Sequence, residues 1–132
     1  MHLGHTDTAS TTAMYVPSIG LVVSGDAVYN NTRPYLAECD ENGRGEWLSA
    51  LDKIEALHPR VVVAGHGVLN PDSSPRHIEE TRRYLQDFNA AVASTSTPLE
   101  LYEKMLTLHR NRVNPGSLWA AAKAAKPPQN LG

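Results

Sequence analysis

The stretch Val61-Val62-Val63-Ala64-Gly65-His66-Gly67 carries the strongest information about the fold. Its valines and alanine form a short, continuous and mostly β-branched run, which predicts a strand buried on both faces. The glycines after the run predict that the strand ends there, so that His66 follows it directly. Upstream, residues 46–57 place apolar side chains at helical spacing, and His58-Pro59 ends that helix. A helix followed by a buried strand indicates an α/β layer.

The segments on either side complete the predicted order of elements. Two apolar runs, Ala13–Val16 and Ile19–Ser24, flank a short Pro-Ser connection and predict a hairpin. Beyond residue 73, apolar residues again follow the helical period, and each predicted helix starts at a polar residue followed by proline. The predicted starts are Ser74-Pro75, Thr97-Pro98, with Glu100 completing a capping box, and Asn114-Pro115.

The predicted fold class is therefore α/β, with a small sheet and C-terminal helices. We predict one folded unit over residues 1–126, and the Pro-rich residues 127–132 are predicted to be a flexible tail. The sheet is too small for a complete layered domain by itself.

Composition excludes several classes of partner. The 132 residues are 41% hydrophobic and 20% charged, which is typical of a globular protein. A net charge of −2 provides no electrostatic reason to expect nucleic acid or a membrane surface as partner. The single cysteine, Cys39, excludes an intrachain disulfide and favours a reducing, cytoplasmic setting. No apolar run approaches the ~20 residues of a membrane-spanning helix.

Three side chains that can bind metals occupy one type of position. His5 lies in a loop before a predicted strand, and Asp26 and His66 each follow a predicted strand directly, beside glycine. Strand ends are where α/β folds place ligand-binding groups. Two imidazoles and a carboxylate suit Zn²⁺, Fe or Mn²⁺. We therefore predict that His5, Asp26 and His66 are metal ligands.

Ordinary structural roles compete with this interpretation. A Gly-Asp pair after a strand is commonly an Asx turn, and a histidine at a strand end is commonly a hydrogen-bonded structural residue. The agreement of three such positions favours the metal site. The loop after Asp26 supplies Tyr29, Asn30 and Tyr35, which we predict to bind substrate; a solvated loop is the alternative.

Gly4-His5-Thr6, Gly25-Asp26 and Gly65-His66 together resemble, in order and approximate spacing, the metallo-β-lactamase fold hydrolases. The resemblance implies that His5 is a ligand of the first metal, that Asp26 bridges two metals and that His66 binds the second. It also implies two zinc ions, with iron or manganese as alternatives, and a metal-bound hydroxide that attacks an ester, lactone, amide or similar bond of a small-molecule substrate.

One part of the family pattern has no counterpart. The family signature H-x-H-x-D-H is not formed by any of the six histidines, at positions 2, 5, 58, 66, 77 and 109. The family fold is an αββα sandwich of two similar halves, and this chain resembles the C-terminal half only. Without the other ligands the metals are held weakly. We therefore expect weak or no hydrolase activity from the chain alone, assign no catalytic residue, and leave open whether it is an enzyme.

A different class of function remains open. The chain could be a non-catalytic interaction module whose exposed apolar sheet face pairs with a second copy, or with a separate N-terminal half. A mononuclear metal binder that uses His5, Asp26, His66 and water is a third alternative.

Overall fold

The computed structural model describes residues 1–67 and 73–126, with the backbone alone at residues 66 and 67. The elements in chain order are β1 (His2–Gly4), β2 (Thr11–Thr12), β3 (Met14–Val16), a 3₁₀ turn (Pro17–Ile19), β4 (Leu21–Asn30), α1 (Glu41–Glu55), β5 (Val61–Gly67), α2 (Arg76–Ser94), α3 (Pro98–Leu108) and α4 (Pro115–Ala125). The predicted tail over residues 127–132 lies outside the described residues. No helix in the described ranges has the length and apolar character needed to cross a bilayer.

The sheet has the order β3-β4-β5, and a separate two-stranded ribbon joins β1 to β2. The predicted hairpin is confirmed, since β3 and β4 pair antiparallel through the 3₁₀ turn. Strands β4 and β5 pair in parallel, with α1 as the crossover helix between them. Parallel pairing through a helix confirms the predicted α/β class.

The two faces of this sheet differ in burial. Val22 and Val62 are neighbours on one face, and both are almost fully buried under the helices. Val63, on the other face, is 38% exposed, so the prediction that the Val61 run is buried on both faces is wrong. The reason is that all the helices described pack on one side. The uncovered side carries two apolar rows, which we call the open face: Met14-Val23-Val63 and Val16-Leu21-Val61.

Helix α1 begins earlier than predicted, at Glu41 rather than residue 46. The Asp40 carboxylate accepts a hydrogen bond from the Gly43 amide at 2.7 Å and caps the first turn. Gly43 and Gly45 lower the helix propensity of this turn, so propensity alone missed it. Trp47 is fully buried and donates its indole N–H to the Ala27 carbonyl at 2.8 Å, which ties α1 to β4.

Local capping explains where α3 and α4 begin. Thr97 accepts a hydrogen bond from the Glu100 amide, and Asn114 accepts one from the Ser117 amide, as their sequence positions predict. The Glu100 carboxylate reaches the Ser96 amide, so the predicted capping box is displaced by one residue. The helices close the core with a set of fully buried side chains: Tyr84, Leu85, Phe88, Leu101, Met105 and Leu118.

Candidate functional site

Asp26 lies inside β4 and not after it, which corrects the predicted position. Gly25 pairs with Ala64 and Tyr29 pairs with His66, so three residues of β4, numbers 26 to 28, face the single Gly65 of β5. This bulge places the half-buried Asp26 beside the point where the strands approach closely. A Cβ on Gly65 would lie 2.3 Å from the Gly25 carbonyl oxygen, so only glycine fits there.

Side chains satisfy the backbone groups that the bulge leaves without a ladder partner. The Ala27 carbonyl accepts from Trp47, and the Tyr29 amide donates to the Thr81 hydroxyl at 3.2 Å. Helices α1 and α2 therefore fix the bulge from two directions. His66 is also inside its strand, at the β5 position that pairs with Tyr29, and not directly after the strand as predicted.

His5 lies in the loop between β1 and β2, as predicted. Its Nδ1 lies 2.7 Å from the Thr6 carbonyl oxygen, and its own amide donates to the Glu46 carboxylate at 3.1 Å. Because a carbonyl oxygen only accepts, the hydrogen of the first bond must be on Nδ1. The lone pair of the neutral ring is then on Nε2, which leaves that nitrogen able to bind a metal.

Asp7 was assigned no role from the sequence. It lies with Tyr29 and Asp26, and we call these three residues and the nearby His5 the cluster. The Asp7 side chain is only 5% exposed, and it accepts hydrogen bonds from the Tyr29 hydroxyl at 3.1 Å and from the Thr6 hydroxyl at 3.3 Å. Burial, and then the negative charge of Asp26, raise the pKa of Asp7 above its usual range. Burial and the Asp7 charge likewise raise the pKa of Tyr29. Two carboxylates therefore share this edge of the sheet, and the Gly-His-Thr-Asp sequence was the available signal.

Contacts through Asp7 and Tyr29 connect the segments that carry the predicted ligands. Asp7 follows His5 by two residues and bonds to Tyr29, whose backbone is paired with His66 and whose strand carries Asp26. Among the side chains described, no three His, Cys, Asp or Glu groups are arranged to hold a metal, and the His66 side chain is outside that set. The assignment of His5, Asp26 and His66 as ligands thus stays a prediction.

A cavity of about 420 Å³ adjoins this cluster, which is within the size range of small-molecule sites. Two of the predicted substrate-binding residues, Tyr29 and Tyr35, line it. Asn30, the third, is 3% exposed and is not part of the wall. The remaining polar wall comprises Asp7, Thr32, Arg33, Asn114 and Ser117. Arg33 lies in the segment after Asp26 that could line a substrate pocket by its position, whereas Asn114 and Ser117 had no predicted role at the site, because they are more than 80 residues from Arg33 in the sequence.

A solved structure of another protein shares this architecture. A solved structure of a metallo-beta-lactamase family protein from Thermus thermophilus matches with a TM-score of 0.63 and 25% identity over 93% of this chain. This chain has part of the metallo-β-lactamase fold. It spans 40% of the length of that structure, so the predicted resemblance to part of the fold is confirmed. No family model and no curated protein matches the sequence.

Proteins with the metallo-β-lactamase fold generally bind metals such as zinc. The His5 tautomer and the neighbouring Asp7 and Asp26 carboxylates have the donor chemistry that a divalent cation of this kind requires. They fit a part of such a site and do not complete it within the described side chains.

Proposed function

We propose that this chain forms part of a metal-dependent hydrolase of the metallo-β-lactamase superfamily, with His5, Asp26 and His66 as its metal ligands. The observation that carries the proposal is the match of 93% of the chain to part of the metallo-β-lactamase fold. The remaining ligands, in the H-x-H-x-D-H pattern, would come from a further segment, on this polypeptide or another. Zinc is the metal we propose, with iron or manganese as alternatives.

When bound, the metal would supply a Lewis acid and an activated water for attack on an ester, lactone, amide or similar bond. The Thr6 carbonyl keeps the His5 ring in the tautomer with Nε2 available. Asp7 holds the Tyr29 hydroxyl at the cavity wall, and Tyr35 supplies a second aromatic ring for the substrate. We expect the chain by itself to be a weak hydrolase or an inactive one, because an incomplete ligand shell binds metal weakly.

Metal affinity tests this proposal directly. Zinc binding is measured by competition with a chromophoric chelator for the chain and for His5→Ala, Asp26→Asn and His66→Ala. We expect each substitution to weaken binding by more than about tenfold, because each removes a ligand. His58→Ala is the matched control, since His58 is exposed and lies in the connection between α1 and β5. Equal losses in His58→Ala and in the three ligand variants would contradict the proposal.

The open face favours a second candidate, a non-catalytic interaction module. Met14 is 57% exposed and Val61 and Val63 are 37% and 38% exposed, on one continuous apolar surface. Exposed apolar surfaces of this kind mark interfaces. In this candidate the open face pairs with a second copy of the chain or with a separate N-terminal half. The oligomeric state of the purified chain tests the pairing with a second copy.

A further inference from the structure

We propose that Thr81, on α2, is a positioning residue for the cluster: its hydroxyl fixes the backbone of Tyr29, and through Tyr29 it fixes where Asp7 and Asp26 lie. Thr81 and Tyr29 are 52 residues apart in the sequence and are joined by hydrogen bonds between helix and strand. That these positions serve a metal rests on the proposed function. The positioning itself is measured on the metal-free chain.

The Thr81 hydroxyl is oriented by its own helix. The side chain is fully buried, and the hydroxyl donates to the His77 carbonyl at 2.7 Å, one turn earlier in α2. The hydroxyl has a single hydrogen, and the Tyr29 carbonyl is the more distant acceptor, at 3.3 Å. The bond within α2 therefore takes that hydrogen and restricts the rotamer of the threonine. The lone pairs of the oxygen are left to accept a hydrogen bond from the strand.

Tyr29 places its backbone against this oxygen. Its amide donates to the Thr81 hydroxyl at 3.2 Å, and both residues are buried. Strand β3 pairs with β4 only at residues 21–23, so the antiparallel neighbour ends before Tyr29. A side chain of α2 thus supplies an acceptor where β3 no longer reaches. Removing the acceptor of a buried amide is costly, so without this hydroxyl the backbone at Tyr29 should shift toward another acceptor.

Tyr29 transmits its position to both carboxylates. Its hydroxyl donates to Asp7 at 3.1 Å, and Asp7 follows His5 by two residues. Its backbone follows Asp26 by three residues, at the end of the bulge. A shift of Tyr29 would therefore change the distance between the loop that carries His5 and the strand that carries Asp26. Groups that bind a metal together must be held to within about 0.5 Å, so a small shift is sufficient to weaken binding.

The other contacts of the bulge should survive the loss of the Thr81 hydroxyl. Trp47 donates to the Ala27 carbonyl at 2.8 Å, and its ring lies 5.9 Å from the Tyr29 ring between centroids. These contacts hold the strand on α1 independently of α2. We therefore expect a local displacement at Tyr29 and not the loss of the fold.

Two substitutions at Thr81 separate the hydroxyl from the size of the side chain. Thr81→Val replaces the hydroxyl by a methyl group, and Thr81→Ser retains the hydroxyl. Thr95→Val is the matched control, because the Thr95 hydroxyl makes the same bond within α2, to the Ala91 carbonyl at 2.7 Å, at the end of the helix.

NMR of the metal-free chain tests the positioning first. We expect the Tyr29 amide to exchange with solvent at least about tenfold faster in Thr81→Val than in Thr95→Val. The carboxyl carbon signals of Asp7 and Asp26 should shift in Thr81→Val alone, and Thr81→Ser should retain the parent values. Unchanged Tyr29 exchange and carboxyl signals in Thr81→Val would overturn the proposal, as would equal changes in Thr95→Val. If Thr81→Val does not fold, the parent decides: a Tyr29 amide that exchanges as fast as exposed amides would overturn it.

Zinc affinity, measured by competition with a chromophoric chelator, then tests the consequence for the metal site. We expect Thr81→Val to bind zinc at least about tenfold more weakly than Thr95→Val, the loss typical of a residue that orients a ligand, and Thr81→Ser to bind as the parent does. Weakening in Asp26→Asn without weakening in Thr81→Val would overturn the role of Thr81 and leave the proposed function standing. If Asp26→Asn binds zinc as the parent does, the proposed function fails at Asp26, and the metal-free measurement alone decides whether Thr81 positions the carboxylates.

Discussion

Gly65 lies where β5 passes the bulge of β4, and this single position controls the approach of the two strands. An added Cβ would lie 2.3 Å from the Gly25 carbonyl oxygen and 3.0 Å from the Asp26 amide nitrogen. Both are backbone atoms of the strand that carries a predicted metal ligand, so neither moves without displacing that strand. Gly65 is therefore required for the pairing that places Asp26 beside Asp7.

We predict that Gly65→Ala lowers the free energy of unfolding by about 2–4 kcal/mol, because the strands must separate locally. Urea denaturation followed by circular dichroism measures this change. Gly45→Ala is the matched control, since a Cβ at this α1 position meets nothing within 4 Å. It should increase the free energy of unfolding by about 0.5–1 kcal/mol through helix propensity. A Gly65→Ala variant as stable as the parent would contradict the bulge geometry.

At the scale of the element, successive side chains of β5 alternate between the covered face of the sheet and the open face. Val62 is 1% exposed and Val63 is 38% exposed, although they are adjacent in the sequence. We predict that Val62→Lys lowers the free energy of unfolding by more than about 3 kcal/mol, because it buries an unpaired charge. Val63→Lys should lower the free energy of unfolding by less than about 1 kcal/mol, because the lysine remains in contact with solvent. Thermal melts of both variants measure the difference, and equal losses would contradict the assignment of the faces.

His109, at the end of α3, connects this helix to α2 through its side chain. Its Nε2 donates to Asp87 at 2.8 Å, and its ring lies 4.7 Å from the Tyr84 ring between centroids. Burial lowers the pKa of His109; Asp87 opposes this shift, and the charges of Arg112 and Arg33 add to it. The folded chain therefore takes up this proton at a lower pH than the unfolded chain does.

The lowered pKa of His109 should therefore have no effect on the free energy of unfolding above about pH 6.5. Below that value the free energy of unfolding should fall progressively, because the unfolded chain binds the proton first. Urea denaturation at about pH 7.5 and about pH 5.5 measures the loss. His109→Gln should reduce this pH dependence, whereas His2→Gln, at an exposed residue in β1, should leave it unchanged. The same pH dependence in His109→Gln and the parent would contradict this assignment.

At the scale of the whole molecule, the open face and the low net charge act together. The net charge of −2 provides little repulsion between copies, and the two apolar rows have no cover within the described part of the chain. For the interaction-module candidate we predict concentration-dependent association by light scattering, strengthened by sulfate as apolar contacts are. Met14→Lys should weaken it, and Leu108→Lys, at an exposed leucine in α3, should not. A monomer at all concentrations would contradict self-association.

Several elements could be predicted from the sequence because their causes are local. The β3–β4 hairpin, the Thr97 and Asn114 caps and the apolar stripe around Trp47 depend on residues a few positions apart. The start of α1 was missed because the Asp40 cap outweighs the low propensity of two glycines. Trp119, in the helix predicted to start at Asn114-Pro115, is 38% exposed, because helical spacing alone does not say how far a stripe extends around a helix.

The sequence by itself therefore determined the α/β class and the order of most elements. Only the tertiary structure placed Asp26 within a bulge, joined Asp7 to a tyrosine 22 residues away, and closed a cavity around Arg33, which bonds to a carbonyl 76 residues away. The physical reason is that capping and periodicity act over one helical turn or one strand pair. Burial of a charge and the approach of two backbones depend instead on contacts between segments that are distant in the chain.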